Sequence, residues 1–169
     1  ANQSPSSGAT TLTTLTEAGL TFAGQSMDVS SESLGELRRS DDIADDAEAL
    51  RARAAEDGYL YLPGLLDRSQ VMAAREEVLR RLAGADVVDD ADHDLMEGFV
   101  KPQANISFAP QLATDNAPLD TVLYDGAMID FYERFLGGPV GHFDYTWFRA
   151  KTPGTTTATQ PHYDVVYMG

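Results

Sequence analysis

The sequence predicts an α+β chain in which helices come first and strands make up most of the core. Two observations indicate this order. Apolar residues recur at helical spacing between residues 40 and 82. Residues 140–151 and 162–168 are instead rich in aromatic and β-branched side chains, which is typical of strands. The predicted core is therefore mainly β, with helices on its N-terminal side.

Composition limits both the size of the core and the class of partner. The chain has 169 residues, 43% of them hydrophobic, which is enough for one domain but not for two large ones. Its 27 acidic and 12 basic residues give a formal net charge of -15, so nucleic acid and anionic membrane surfaces should be repelled. Neither is expected as a partner.

Two absences complete the compositional expectations. There is no cysteine, so a metal site would have to use His, Asp or Glu side chains. The first residues lack the pattern of a secretory signal, and no stretch approaches the roughly 18 apolar residues of a membrane span. A cytoplasmic location is the default expectation.

The first elements follow from local signals. Residues 1–39 are rich in Ser, Thr, Gly and Ala without a period, which predicts a flexible extension before a domain spanning 40–169. An acidic first turn and helical spacing predict a helix from Ser40 to Gly58. A short strand is predicted over 59–62, and a second helix over 68–82 with Asp67 as its N-cap.

The later elements are a long helix and two strands. Helical spacing over 119–136 predicts one helix that ends at Gly137-Gly138-Pro139, whereas the acidic run 86–94 predicts a solvated loop. Residues 140–151 predict a strand covered on both sides, because aromatic side chains fall on both of its faces. One face carries Phe143, Tyr145, Trp147, Arg149 and Lys151, and the other carries His142, Asp144, Thr146, Phe148 and Ala150.

The pattern His-x-Asp occurs twice, at His142 and Asp144 and again at His162 and Asp164. Side chains two residues apart in a strand point the same way, so an imidazole and a carboxylate can converge on one metal. With a second histidine, such a pair leaves open positions on Fe(II). The pattern alone is weak, since chance would supply it about one time in three here, and an ordinary hydrogen-bonded histidine is the alternative.

The later pair is the better candidate for a metal site. His162 follows a polar, turn-rich loop at the start of a strand, where ligands are commonly held. If the two strands form a simple hairpin, His142 lies about 25 Å further along and cannot join it.

Several stretches resemble one enzyme family in the same order along the chain. They are Glu56-Asp57-Gly58-Tyr59, Leu62-Pro63-Gly64-Leu65-Leu66-Asp67, Phe135-Leu136-Gly137-Gly138-Pro139, Lys151-Thr152-Pro153-Gly154 and Pro161-His162-Tyr163-Asp164. From about residue 50 onward the chain resembles the phytanoyl-CoA dioxygenase family of Fe(II)- and 2-oxoglutarate-dependent oxygenases. The resemblance covers roughly the N-terminal half of such an enzyme. It implies a double-stranded β-helix (jelly roll, cupin-like) with N-terminal helices, present here only in part.

The resemblance also implies a site. His162 and Asp164 would be iron ligands, Lys101 and Trp147 would lie near the 2-oxoglutarate site, and the cofactors would be Fe(II), 2-oxoglutarate and O2. The implied activity is hydroxylation of a small-molecule substrate. Tyr145 and Arg149 share a strand face with Trp147 and are candidate substrate contacts, the alternative being that the aromatics are core and Arg149 caps a surface.

One departure from the family predicts that more protein is needed. The family places a histidine and a 2-oxoglutarate-anchoring arginine well downstream of the His-x-Asp pair, and only five residues follow Asp164. The expected partner is therefore the remainder of the same protein or a complementary chain. Two alternatives stay open: a non-catalytic cupin-like module that binds a small molecule or partner, and an acidic interaction domain in which both pairs are accidental.

Overall fold

The computed structural model describes residues 19–22, 24–143 and 145–152. The described residues up to Arg38 belong to one compact unit, and those from Arg39 onward belong to another. In the first unit, strands β1 (Thr21–Phe22) and β2 (Gln25–Ser26) form a short antiparallel hairpin. The predicted domain limits, 1–39 and 40–169, stay predictions because both chain ends lie outside the described residues.

The described part of the second unit is largely helical. Its helices are α1 (Ala47–Asp57), α2 (Arg68–Gly84), α3 (Ala117–Tyr124) and α4 (Ala127–Leu136), and its 3-10 turns are Asp41–Ile43, Leu95–Glu97 and Pro110–Leu112. Helix α2 packs against α3, and α4 packs against both α1 and α3. No helix in the described ranges combines the length and the apolar character needed to cross a membrane.

The first two helices confirm most of the sequence prediction. Helix α2 begins at Arg68, and the Asp67 carboxylate caps it by accepting from the Gln70 N–H at 3.0 Å. Helix α1 ends at Gly58, whose φ of 75° is a left-handed conformation that favours glycine. The predicted start at Ser40 was wrong, because Asp46 is the N-cap and residues 41–43 form a separate 3-10 turn.

Two further predictions need correction. The predicted strand over 59–62 is reduced to one parallel bridge between Arg39 and Tyr61. The predicted helix over 119–136 is two helices, because the helical conformation is interrupted at Gly126, where φ is 57° and ψ is -133°. This backbone conformation is accessible to glycine but strained for other residues. The predicted end at Gly137 is confirmed.

The predicted continuous strand over 140–151 is also absent from the described part of that segment. The segment instead pairs through one antiparallel bridge between Phe108 and Arg149. Hydrogen bonds flank this bridge, from Ala109 N to Phe148 O at 3.1 Å and from Ala150 N to Ser107 O at 3.0 Å. A two-residue alternation nevertheless holds. Residues 146, 148 and 150 are partly buried, whereas 145, 147 and 149 are exposed.

The alternation also corrects the expectation that both faces are covered. Phe148 and Ala150 pack on the core, while Trp147 is 56% exposed. One bridged segment does not define a β-helix, so the double-stranded β-helix stays a prediction.

The core ties α2 to the segments that follow it. Its buried members are Leu79, Leu82, Val87, Val88, Ala109 and Leu112. Burying a Leu or Val side chain contributes roughly 1.5–3 kcal/mol. Because Phe148 and Ala150 pack on the same cluster, the core fixes residues 146–150 beside 107–112. This packing leaves Trp147 and Arg149 on the exposed side of the segment.

Candidate functional site

The predicted iron ligands His162 and Asp164 lie outside the described residues, as does Asp144 of the earlier pair. Each His-x-Asp pair therefore includes at least one residue outside the described ranges. Within residues 19–22, 24–143 and 145–152, no three His, Asp or Glu side chains group closely enough to hold a metal ion. The iron site stays a prediction from the sequence.

Lys101 is held by an acidic loop. Its backbone N–H donates to Val87 O at 2.9 Å, beside the antiparallel bridge between Val88 and Val100. Its Nζ lies 2.5 Å from Asp86 Oδ1. The hydrogen bond to Asp86 raises the pKa of Lys101 despite partial burial, and the negative charges of Asp86, Asp89 and Asp90 raise it further. Lys101 is therefore a fixed cation with an exposed carboxylate partner.

Trp147 and Arg149 come together beside Phe108. The Phe108 and Trp147 rings meet edge to face with centroids 5.7 Å apart. The Arg149 guanidinium carbon lies 5.5 Å from the Trp147 centroid and 5.9 Å from that of Phe108, within the range of cation–π attraction. This cluster presents an aromatic surface and a positive charge in the same place.

Tyr145 lines a different feature, a cleft of about 380 Å³ between the start of α3 and residues 142, 143, 145 and 146. The described residues that line it are Pro110, Ala113, Thr114, Asp115, Asp120, Tyr124, His142, Phe143, Tyr145 and Thr146. The Tyr124 ring stacks on His142 with centroids 4.2 Å apart, and its hydroxyl contacts Thr146 Oγ1. The structure thus places Tyr145 in the cleft and Arg149 in the aromatic cluster.

Two residues that sequence reasoning missed hold one wall of this cleft. The Arg81 guanidinium donates to Thr114 O at 2.6 Å and to Asp115 O at 2.7 Å, and it is paired with Glu77 Oε1 at 2.6 Å. Asn116 is fully buried, donates from Nδ2 to Leu112 O at 2.8 Å and accepts from Leu119 N at 3.1 Å.

A sequence signal existed for Asn116 but not for Arg81. Asn116 followed by Ala117-Pro118 is a recognisable helix start, with an N-cap residue and a proline in the first turn. The hydrogen bonds of Arg81 reach residues that lie 33 and 34 positions further along the sequence, and no local sequence pattern predicts such a contact.

One curated relative gives a comparison with known proteins. The chain is 30% identical over 141 residues to 1-deoxypentalenic acid 11-beta-hydroxylase of Streptomyces exfoliatus. This relative is a hydroxylase. The match covers 75% of this chain and 46% of the hydroxylase, so the chain spans about half the length of that relative. No protein-family profile matches the chain, and no solved structure matches it.

Proposed function

We propose that this chain is part of an Fe(II)- and 2-oxoglutarate-dependent dioxygenase that hydroxylates a small organic substrate. The observation that carries the proposal is the 30% identity with a hydroxylase. The His162-x-Asp164 pattern and the family resemblance of residues 50–169 support the same class. The fold implied is part of a double-stranded β-helix, completed by the remainder of the same protein or by a complementary chain.

The donor chemistry of the proposed metal ligands fits iron. His162 supplies an imidazole nitrogen and Asp164 a carboxylate oxygen, and this combination suits non-haem Fe(II). In the proposal these two side chains hold the iron. When bound, iron and 2-oxoglutarate supply the oxidising chemistry, with O2 as oxidant and succinate and carbon dioxide as by-products.

Lys101 is the proposed partner of 2-oxoglutarate. Its raised pKa keeps the ammonium charged. The Asp86 carboxylate is 77% exposed. Water can therefore solvate Asp86 when the Lys101 ammonium leaves it to bind a carboxylate of 2-oxoglutarate. Trp147 is the second proposed contact, and its ring would limit the access of water to that ligand.

Arg149 and Tyr145 are the proposed substrate contacts. The guanidinium of Arg149 lies against Trp147. In the proposal its positive charge pairs with an anionic group of the substrate. Tyr145 is 57% exposed in its cleft, so its ring is accessible to a small molecule. The two side chains belong to neighbouring surfaces of the same extended segment.

Succinate formation tests the proposal. In the longest natural polypeptide that carries these residues, incubation with Fe(II), 2-oxoglutarate and O2 should release succinate. His162→Ala and Asp164→Ala should abolish it. His142→Ala is the matched control, because it removes a histidine of the same local pattern, and it should retain turnover. Lys101→Met should raise the KM for 2-oxoglutarate more than it lowers kcat.

Three outcomes would count against the proposal. Equal loss in correctly folded His142→Ala would overturn the choice of metal ligands. Binding of Fe(II) and 2-oxoglutarate without succinate would favour the non-catalytic binding module. Absence of both binding and turnover would favour an interaction domain in which the two pairs are accidental.

A further inference from the structure

We propose that the cleft between the start of α3 and residues 142, 143, 145 and 146 binds a small organic cation of the alkylammonium or quaternary ammonium class. Tyr145 is also a proposed substrate contact, but this inference does not rest on the proposed function, because it is argued only from described residues of the cleft and not from the proposed iron pair. It combines three observations: the size of the cleft, its exposed aromatic side chains and its two carboxylates, which have no partner among the described residues.

The cleft has the size and lining of a small-molecule site. Its volume of about 380 Å³ lies within the roughly 300–1,000 Å³ that is typical of ligand pockets. Phe143 is 77% exposed and Tyr145 is 57% exposed, although both are large aromatic residues that are usually better covered. Tyr124, stacked on His142, adds a further ring to the lining. Aromatic rings on several sides are the usual surroundings of a bound organic cation.

The charge in the cleft is negative. Asp115 and Asp120 line it from the start of α3, and neither carboxylate receives a hydrogen bond or ion pair from a described residue. None of the described lining residues is Lys or Arg. Arg81 bonds to the backbone of this wall but is not among the lining residues, and its guanidinium pairs at 2.6 Å with Glu77, which also pairs with Arg80. A cation in the cleft would therefore meet two carboxylates that no described residue pairs.

An anion is poorly served by the same cleft, even though a helix begins there. The Leu119 N–H already donates to Asn116 Oδ1 at 3.1 Å, and the Asp120 N–H donates to Asn116 O at 2.9 Å. Pro118 has no N–H to offer. With the Leu119 and Asp120 N–H groups already bonded and two carboxylates beside them, the helix start disfavours anions. The net charge of -15 favours cations over longer distances.

Titration with choline measures this binding directly in the longest natural polypeptide that carries these residues, by calorimetry or by NMR shifts at low salt, without iron or 2-oxoglutarate. Its uncharged isostere 3,3-dimethylbutan-1-ol is the matched ligand control. Because the isostere lacks both the cation–π and the Coulomb attraction, it should bind about tenfold more weakly. Saturable choline binding that weakens with added salt is the expected result. Absence of saturable binding, or equal affinity for the isostere, would overturn the proposal.

Variants then locate the site. Asp115→Asn and Asp120→Asn should each weaken choline binding about three- to fivefold, and Tyr145→Leu should weaken it about two- to fivefold. The control Asp130→Asn removes the same charge from an exposed position on α4 that does not line the cleft. An equal effect of Asp130→Asn would show a general charge effect and refute the cleft as the site. Asp115 is exposed, so its variant tests the proposal even if Tyr145→Leu fails to fold.

Discussion

Replacing Arg81 by methionine removes the side chain that joins α2 to the loop before α3. In the structure the guanidinium donates to Thr114 O at 2.6 Å and to Asp115 O at 2.7 Å, with longer bonds to Gln111 O at 3.3 Å and Leu112 O at 3.4 Å. Methionine keeps much of the apolar stem but offers none of these donors. We expect the loop to lose its attachment while the helix itself persists.

The size of the effect follows from how these bonds are made. A hydrogen bond to a charged donor contributes about 1.5–3 kcal/mol net. Two of the four bonds from Arg81 to the loop carbonyls are short, and the Arg81 side chain is only 22% exposed. Thr114 and Asp115 are exposed residues, so water recovers part of the loss at their carbonyls. We therefore expect Arg81→Met to lower the free energy of unfolding by about 3 kcal/mol, or the Tm by roughly 6–12 °C.

Urea unfolding followed by far-UV circular dichroism measures this change. The matched control is Arg80→Met, one residue earlier on α2. Arg80 is 64% exposed and bonds to Glu77 on its own helix, so its loss should have a much smaller effect. Equal midpoints for Arg80→Met and Arg81→Met would refute the claim that Arg81 holds the cleft wall.

Two further predictions concern the caps and the helix break. The hydrogen bond from the Ser69 hydroxyl, followed by that from the Gln70 N–H, lowers the pKa of Asp67. A lowered folded pKa gives stability that is present above the unfolded value of about 4 and lost as pH falls through the folded value. Asp67→Asn keeps a good N-cap but has no carboxylate to protonate. Its free energy of unfolding, measured by urea titration, should therefore fall less than that of wild type between about pH 5 and pH 2. The same pH dependence in both proteins would contradict this prediction. Gly126→Ala should lower the free energy of unfolding by about 1–3 kcal/mol, because alanine is strained in this backbone conformation. Gly138 is equally uncrowded, so the control Gly138→Ala should leave the free energy of unfolding nearly unchanged. Equal urea midpoints for the two variants would contradict the strain argument.

The parts of the fold that sequence predicted well depend on local chemistry. Asp67 caps its own helix, and Gly58 and Gly137 end theirs by adopting left-handed conformations. Each signal acts within a few residues, so the sequence contains it. The break at Gly126 was missed because the apolar spacing continues through it, and a single glycine inside a helix costs only about 1 kcal/mol.

The extended segment was harder to predict because a strand depends on its partner. Residues 145–150 alternate as a strand would, but their pairing is one bridge to Phe108. Periodicity indicated which side chains share a face, yet it could not show that Trp147 would be exposed. That exposure depends on what packs over the segment.

The candidate site was predicted unevenly for the same reason. Motif and resemblance indicated the His162 and Asp164 pair, and the structure's described residues do not reach it. The cleft, by contrast, is lined by residues between 110 and 124 and by residues 142, 143, 145 and 146, and Arg81 bonds to the backbone of one wall. No motif spans that distance, so only the folded arrangement brings these side chains together.

Mn(II) titration, followed by the electron paramagnetic resonance signal of the free ion, tests the central claim most directly. Mn(II) stands in for Fe(II) because it accepts the same imidazole and carboxylate donors and is stable in air. We expect His162→Ala and Asp164→Ala each to weaken Mn(II) binding at least about tenfold, and His142→Ala to bind Mn(II) as wild type does. Equal weakening in His142→Ala, or no change in His162→Ala, would contradict the assignment of His162 and Asp164 as the metal ligands.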